Sequence, residues 1–162
     1  MGELPTSKNY NDRRVDLSIY QGFNFASSKE QEVTTGLGRE NGGSIVAGIG
    51  KLAQNVLVCL MSDFVLMEAN WGTLIPREIG RSSPQAFAQG IELRFAAAID
   101  RVVNQLQENE YTDQPADERL ARITLLSWAY TPDRDGIVAT LRATAQSGER
   151  QEIILPLNTS FV

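Results

Sequence analysis

The chain has 162 residues, of which 42% are hydrophobic and 22% are charged, and its formal net charge is −5. These values are typical of one soluble globular domain that buries roughly two-thirds of its unfolded surface. The negative charge and the scattered basic residues disfavour nucleic-acid binding driven by phosphate neutralisation. No apolar run reaches the roughly 18 residues of a membrane span, and no signal-peptide core is present, so we expect a cytoplasmic protein.

Histidine is absent from the sequence. Its absence excludes Ser–His and Cys–His nucleophilic sites, and it removes the usual ligands of zinc. The single cysteine, Cys59, lies in an apolar helical run, where an inert buried thiol is expected rather than a nucleophile. We therefore predict a protein that is not an enzyme and holds no cofactor or metal.

Residues 1–43 are predicted to form an N-terminal arm. Residues 1–14 are polar, and Val15 to Tyr20 alternates between apolar and polar side chains, as a short strand does. The polar segment 26–43 follows as a loose connector. We expect a strand tethered by this long connector to pair far from its sequence neighbours, and another chain is one candidate partner.

Two helices are predicted next. Ser44 can cap a first helix that runs to about Met61, and its apolar residues cover most of the circumference. This helix should be the central element, covered on more than one side, with apolar surface that the chain alone does not satisfy. The second helix opens at Ser83–Pro84, runs to about Gln107 and carries one apolar stripe.

The segment between these helices, NWGTLIPREIG at residues 70–80, is predicted to be non-helical. We expect Trp71 to be held by burial and Gly72 to adopt a backbone shape that a side chain would obstruct. Pro76 should block continuation of the first helix. The segment is therefore interpreted as a joint between helices rather than as an active site.

Three strands are predicted after the second helix, at about 121–130, 137–145 and 151–157, joined by turns rich in glycine and aspartate. Alternation breaks at Leu125–Leu126, which indicates a bulge or burial on both faces. Pro156 indicates that the last strand is an edge or is ending. The predicted fold is α+β, with two main helices packed on a small antiparallel β-meander, and residues 44–162 form a single domain.

Two groups of polar residues are candidate sites. Asp63, Glu68 and Glu78 could supply the paired carboxylates of a glycosidase, although a solvated or capping role is favoured. In the second group Asp117 and Glu118 stand beside Arg119, directly before the first strand of the meander. Spacing alone favours a surface ion pair there, and the functional alternative is a guanidinium aimed at a partner.

The order of these parts resembles a known family. The run SIVAGIGKLAQNVLVCL, the WGTLI turn, an amphipathic helix, DERL and a terminal meander are similar to the baseplate wedge protein of contractile phage tails, the lysozyme-like sheath-initiator family, with relatives in type VI secretion baseplates. The resemblance covers residues 36–157. DER stands where the family carries acid–proline–arginine, so the proline is missing here.

The resemblance implies a structural role in the virion, assembled in the host cytoplasm. Its implied partners are the tail sheath protein, which adds strands to the meander, and other baseplate wedge proteins. Neither nucleic acid nor membrane is implied as a partner. The implied partner-binding residues lie in two turns: Asp117, Glu118, Arg119, Trp71, Gly72 and Thr73. Two alternatives remain, a peptidoglycan-degrading lysozyme-like glycosidase and a small-ligand domain with a pocket at Trp71 and Trp128.

Overall fold

The computed structural model of the chain describes residues 14, 16–17, 45–64, 71–79 and 81–158. Within these ranges the fold is α+β, as predicted, with four helices and a three-stranded antiparallel sheet. The helices are α1 (Gly48–Met61), α2 (Ile75–Ile79), α3 (Pro84–Ala88) and α4 (Ile91–Glu108). The strands are β1 (Asp16–Leu17), β2 (Ile45–Val46), β3 (Leu120–Tyr130), β4 (Gly136–Ala145) and β5 (Arg150–Asn158).

The meander was predicted correctly. Strand order is β3–β4–β5, and the pairing register shifts between Leu125 and Ser127, where the sequence indicated a bulge. Pro156 lies in β5, at the margin of the sheet. The alternation predicted for these strands holds because alternate residues of β4 and β5 face the helices. These core residues are Ile137, Ala139, Leu141, Ala143, Ile153, Leu155 and Leu157.

Helix α1 is the central element. It packs against β4, β5, α2 and α4, and its apolar residues from Leu52 to Leu60 are largely buried by the chain itself. The expectation that this helix carries apolar surface needing another chain is therefore wrong. The exposed large apolar side chain on α1 is that of Met61, the last residue of the helix.

The start of α1 also differs from the prediction. Ile45 and Val46 form β2, which pairs antiparallel with β1, and the helix begins only at Gly48. Ser44, the predicted cap, lies outside the described residues, and Ala47 occupies the cap position without a side-chain hydrogen bond. Of the predicted strand at 15–20, Asp16 and Leu17 are described, and they pair with their own chain; the connector at 26–43 lies outside the described ranges.

The second predicted helix is two helices. Ser83 caps α3 as predicted, since its Oγ accepts the N–H of Ala86 at 3.2 Å. The chain then breaks at Gln89 and Gly90, where Gly90 has a φ of 76°, and α4 begins at Ile91. A residue in this left-handed region ends a helix, because regular α-helix requires negative φ.

The segment 70–80, which was predicted to be non-helical, contains a short helix. Ile75–Ile79 form α2, with Pro76 in its first turn, where a missing N–H costs no hydrogen bond. The first helix has already ended at Met61, since Ser62 is extended with a ψ of 133°. Pro76 therefore starts a new helix, and the prediction that it blocks α1 is wrong.

Candidate functional site

The loop between α4 and β3 places the DER residues beside the start of α1. Glu118 points inward, and its side chain is 1% exposed. Its Oε1 accepts the N–H of Gly48 at 3.0 Å, and its Oε2 pairs with Lys51 Nζ at 3.0 Å. Because no side chain caps α1 locally, this carboxylate supplies the missing cap from 70 positions away and places negative charge at the positive end of the helix.

The interpretation of this triplet as a surface ion pair does not hold for Glu118. Its ion pair is buried and long-range, and sequence spacing carries no signal for it. Asp117 and Arg119 are only half-buried. Arg119 Nη2 donates to the carbonyl of Thr112 at 3.0 Å, and the carbonyl of Arg119 accepts the N–H of Gln146 at 2.9 Å. The triplet thus ties the loop to the helix start and to the β4–β5 turn.

The Trp71–Thr73 turn is a joint built on main-chain contacts. Gly72 has a φ of 104°, and a Cβ there would lie 2.3 Å from the carbonyl oxygen of Ser62. Thr73 is fully buried; its N–H donates to the same carbonyl at 2.8 Å, and its hydroxyl donates to Leu60 O at 2.7 Å. The prediction that a side chain at Gly72 would be obstructed is confirmed.

The polar groups of Gly72 and Thr73 are satisfied within the chain, so their side of the turn offers little to a partner. Trp71 is half-buried and packs against the core. Arg101 reinforces the turn, because its Nε donates to Gly72 O at 3.0 Å and its guanidinium lies 3.3 Å from the ring centroid of Phe64. Sequence reasoning missed the role of Arg101, because the residue lies outside the apolar stripe of the helix and has no local signal for a contact with the turn.

Cys59 has the environment of an inert thiol. It is fully buried, and its Sγ lies 2.9 Å from Oε1 of Gln105. Burial raises the pKa of the Cys59 thiol to about 11, against the opposing effects of Gly72 and Arg101. A thiol with so high a pKa is almost wholly protonated at neutral pH and is a poor nucleophile.

The carboxylates considered for a glycosidase are tied into ion pairs. Asp63 pairs with Arg77 at 3.3 Å and Glu78 pairs with Arg94 at 2.7 Å, which fastens α2 to its neighbours. Glu68 lies outside the described residues. Trp71 lines a cavity of about 180 Å³ that Trp128 does not reach, so the structure does not bring the two tryptophans together in that cavity.

The sheet margins are the main-chain surfaces that remain open in the described part of the chain. β3 and β5 each pair only with β4. β3 has 11 residues and contains neither proline nor glycine, whereas β5 contains Pro156. Near the end of β3, the rings of Trp128 and Tyr130 pack edge to face with their centroids 5.7 Å apart. The side chains of Leu126 and Tyr130 are 38% and 39% exposed.

Three further findings concern metal sites, membrane-spanning helices and related proteins. Among the described residues no group of three or more Cys, Asp or Glu side chains is placed to hold a metal ion, and no helix is long and apolar enough to cross a membrane. No family model matches the chain, and no match is found among curated proteins or solved structures.

Proposed function

We propose that the chain is a structural wedge subunit of a contractile phage tail baseplate, which docks on other wedge proteins and initiates the tail sheath by strand addition. In this proposal it is not an enzyme, and it acts in the virion after assembly in the host cytoplasm. The proposal rests on the order of sequence motifs described above. The structural observation that supports it best is the open margin of β3.

β3 suits strand addition better than β5 does. Every residue of β3 has a main-chain N–H, whereas Pro156 cannot donate one, and long open edges without proline are the edges that accept further strands. Leu125 and Trp128 of β3, with Ile99 and Val103 of α4, are only partly buried against the core. An added strand would cover part of this apolar rim, which favours association.

Asp117 and Arg119 remain candidates for the contact with other wedge proteins. Both are half-buried, unlike Glu118, and they lie at the opposite end of β3 from Tyr130. Glu118 would act on this contact indirectly, by fixing the loop to α1. The apolar surface of α1 no longer supports an assembly role, because the chain buries it.

No specific observation favours the alternative, a peptidoglycan-degrading glycosidase. Paired carboxylates in such enzymes face one another across the scissile bond. Asp63 and Glu78 instead each face an arginine. A cell-wall turbidity assay tests that alternative, and clearing that disappears in Glu68→Gln would establish it.

The proposal is tested with a tail sheath protein from a contractile phage. Hydrogen exchange of the purified protein is measured alone and with sheath protein, and amides of 120–130 should become protected. Leu126→Lys places a charge on the β3 margin, and it should weaken co-sedimentation with sheath protein by roughly tenfold.

The matched control is Pro156→Lys, an exposed position on the other margin of the sheet. It should leave co-sedimentation unchanged. Protection at 150–158 in place of 120–130, together with sensitivity to Pro156→Lys, would assign the added strand to β5. The absence of any protection and of any co-sedimentation would refute strand addition.

A further inference from the structure

A cavity of about 180 Å³, lined by both polar and apolar side chains, lies between α1, the end of α4 and the loop that carries the DER residues. Lys51 and Asn55 line it from the helix, Trp71 from the joint, and Glu110 and Tyr111 from the loop. Its volume is far above the roughly 10–15 Å³ that one water requires, so it has room for a larger polar group.

The two carboxylates that line the cavity differ in their partners. Lys51 is paired with Glu118 at 3.0 Å, so its ammonium is already matched. Glu110 makes no ion pair in the described part of the chain, and its Oε1 is buried without a hydrogen-bond partner there. Glu110 is therefore the lining carboxylate without an ion pair in the described part of the chain, and the guanidinium of Arg14, which lies over Tyr111, does not pair with it. An unpartnered buried carboxylate oxygen is unfavourable, and a cationic donor would satisfy it.

Two further groups define the chemistry of that donor. The hydroxyl of Tyr111 is also buried without a partner among the described residues. One face of the Tyr111 ring already holds a guanidinium, since Arg14 Cζ lies 4.2 Å from its centroid. Trp71 adds a second aromatic ring to the lining. Aromatic rings and carboxylates together attract a planar cation with several N–H donors.

We propose that this cavity binds a guanidinium group, presented as the arginine side chain of a partner protein. The guanidinium would donate to Glu110 Oε1 and to the Tyr111 hydroxyl, and it would lie against Trp71. The choice of a protein-borne arginine rests on the proposed assembly role. The chemistry of the cavity does not, and it is independent of strand addition at β3.

The test uses the full-length protein labelled with ¹⁵N and two small probes. Acetyl-arginine methylamide carries the guanidinium, and acetyl-citrulline methylamide has the same shape without the charge. The sequence contains two tryptophans, so the indole N–H of Trp71 reports on the cavity and that of Trp128, on β3, serves as an internal control. The arginine probe should shift the Trp71 signal saturably, with a Kd on the order of millimolar, and leave the Trp128 signal in place.

Two matched glutamate variants then test whether the carboxylate of Glu110 binds the probe. Glu110→Gln should lower the affinity for the arginine probe roughly tenfold, as expected for the loss of one charge-assisted contact. Glu108→Gln, at the exposed end of α4, should leave the affinity for the arginine probe unchanged. The inference is overturned if the Trp71 signal does not move, if citrulline moves it equally, or if Glu110→Gln has no effect. Because these probes do not involve β3, their outcome is separate from the sheath experiment.

Discussion

Gln105 holds both main-chain groups of Gly72. Its Oε1 accepts the Gly72 N–H at 3.0 Å, and its Nε2 donates to Gly72 O at 3.3 Å. The same Oε1 lies 2.9 Å from Cys59 Sγ. One side-chain amide on α4 thereby fixes the joint that follows α1, in a place where water does not reach these groups. This contact therefore ties the joint after α1 directly to α4.

Truncation of Gln105 should destabilise the fold. Gln105→Ala leaves the buried N–H of Gly72 without a partner, and its carbonyl keeps only Arg101, so the free energy of unfolding should fall by about 2–3 kcal/mol. Urea denaturation with an unchanged m-value measures this. Asn104→Ala, one residue away but exposed, should change stability by less than about 0.5 kcal/mol. Equal effects of the two variants would mean that the contact is unimportant.

Gly72 should tolerate no side chain. Gly72→Ala adds a Cβ that would lie 2.3 Å from Ser62 O, in a backbone with positive φ, and we expect a loss of about 3–5 kcal/mol. Gly148→Ala is the matched control, because its φ is 90° but nothing lies within 4 Å of the added Cβ. It should cost only the backbone strain, about 1–2 kcal/mol. If thermal unfolding shows the two variants to be alike, the clash does not determine the requirement for glycine.

The parts of the fold that were predictable are those set by local pattern. The three strands and their bulge follow from alternation, and the cap at Ser83 from a serine followed by proline. The start of α1 was not predictable in this way. Ile45 and Ile49 fit a helical repeat, but Ile45 pairs with Leu17, which is distant in sequence. A pairing partner outside the local window overrode the periodicity.

The candidate site was less predictable for the same reason. Glu118 and Lys51 are separated by 67 positions, and no spacing rule connects them. The break between α3 and α4 did have a local signal, because Gly90 stands inside the predicted helix. Because a glycine within a helical apolar stripe is common, the periodicity predicted one continuous helix across Gly90. The role of Gly72 was predictable, since a glycine in a loop is the usual residue where the backbone needs a positive φ or a close approach.

The pair of Glu118 and Lys51 should show strong coupling. Glu118→Gln leaves Lys51, whose side chain is 12% exposed, without its ion pair, and it weakens the cap of α1, so a loss of about 3 kcal/mol is expected. Lys51→Met removes the ion pair of the buried Glu118 carboxylate and should cost a similar amount. The double variant should lose less than the sum of the two, with a coupling of at least about 1 kcal/mol in urea denaturation. Simple additivity would show that the pair contributes nothing beyond its separate contacts.

The thiol of Cys59 should make stability decrease at alkaline pH. Burial raises the pKa of Cys59 to about 11, from an ordinary value of 9.0. Below pH 9 both the folded and the unfolded thiol are protonated, and the contribution to stability is complete. Between these two values the unfolded thiol loses its proton while the folded thiol keeps it. Unfolding then releases a proton, and the free energy of unfolding falls by up to about 1.4 kcal/mol per pH unit.

Lysines and tyrosines titrate in the same range, so the measurement is the difference between the wild-type chain and Cys59→Ala at pH 8 and pH 10.5. The stability advantage of the wild-type chain should shrink between these two pH values, because only that chain carries the buried thiol. A thiol reagent at pH 8 should react with the native protein far more slowly than with the urea-unfolded protein. A pH-independent difference combined with rapid labelling of the native chain would contradict the burial of Cys59.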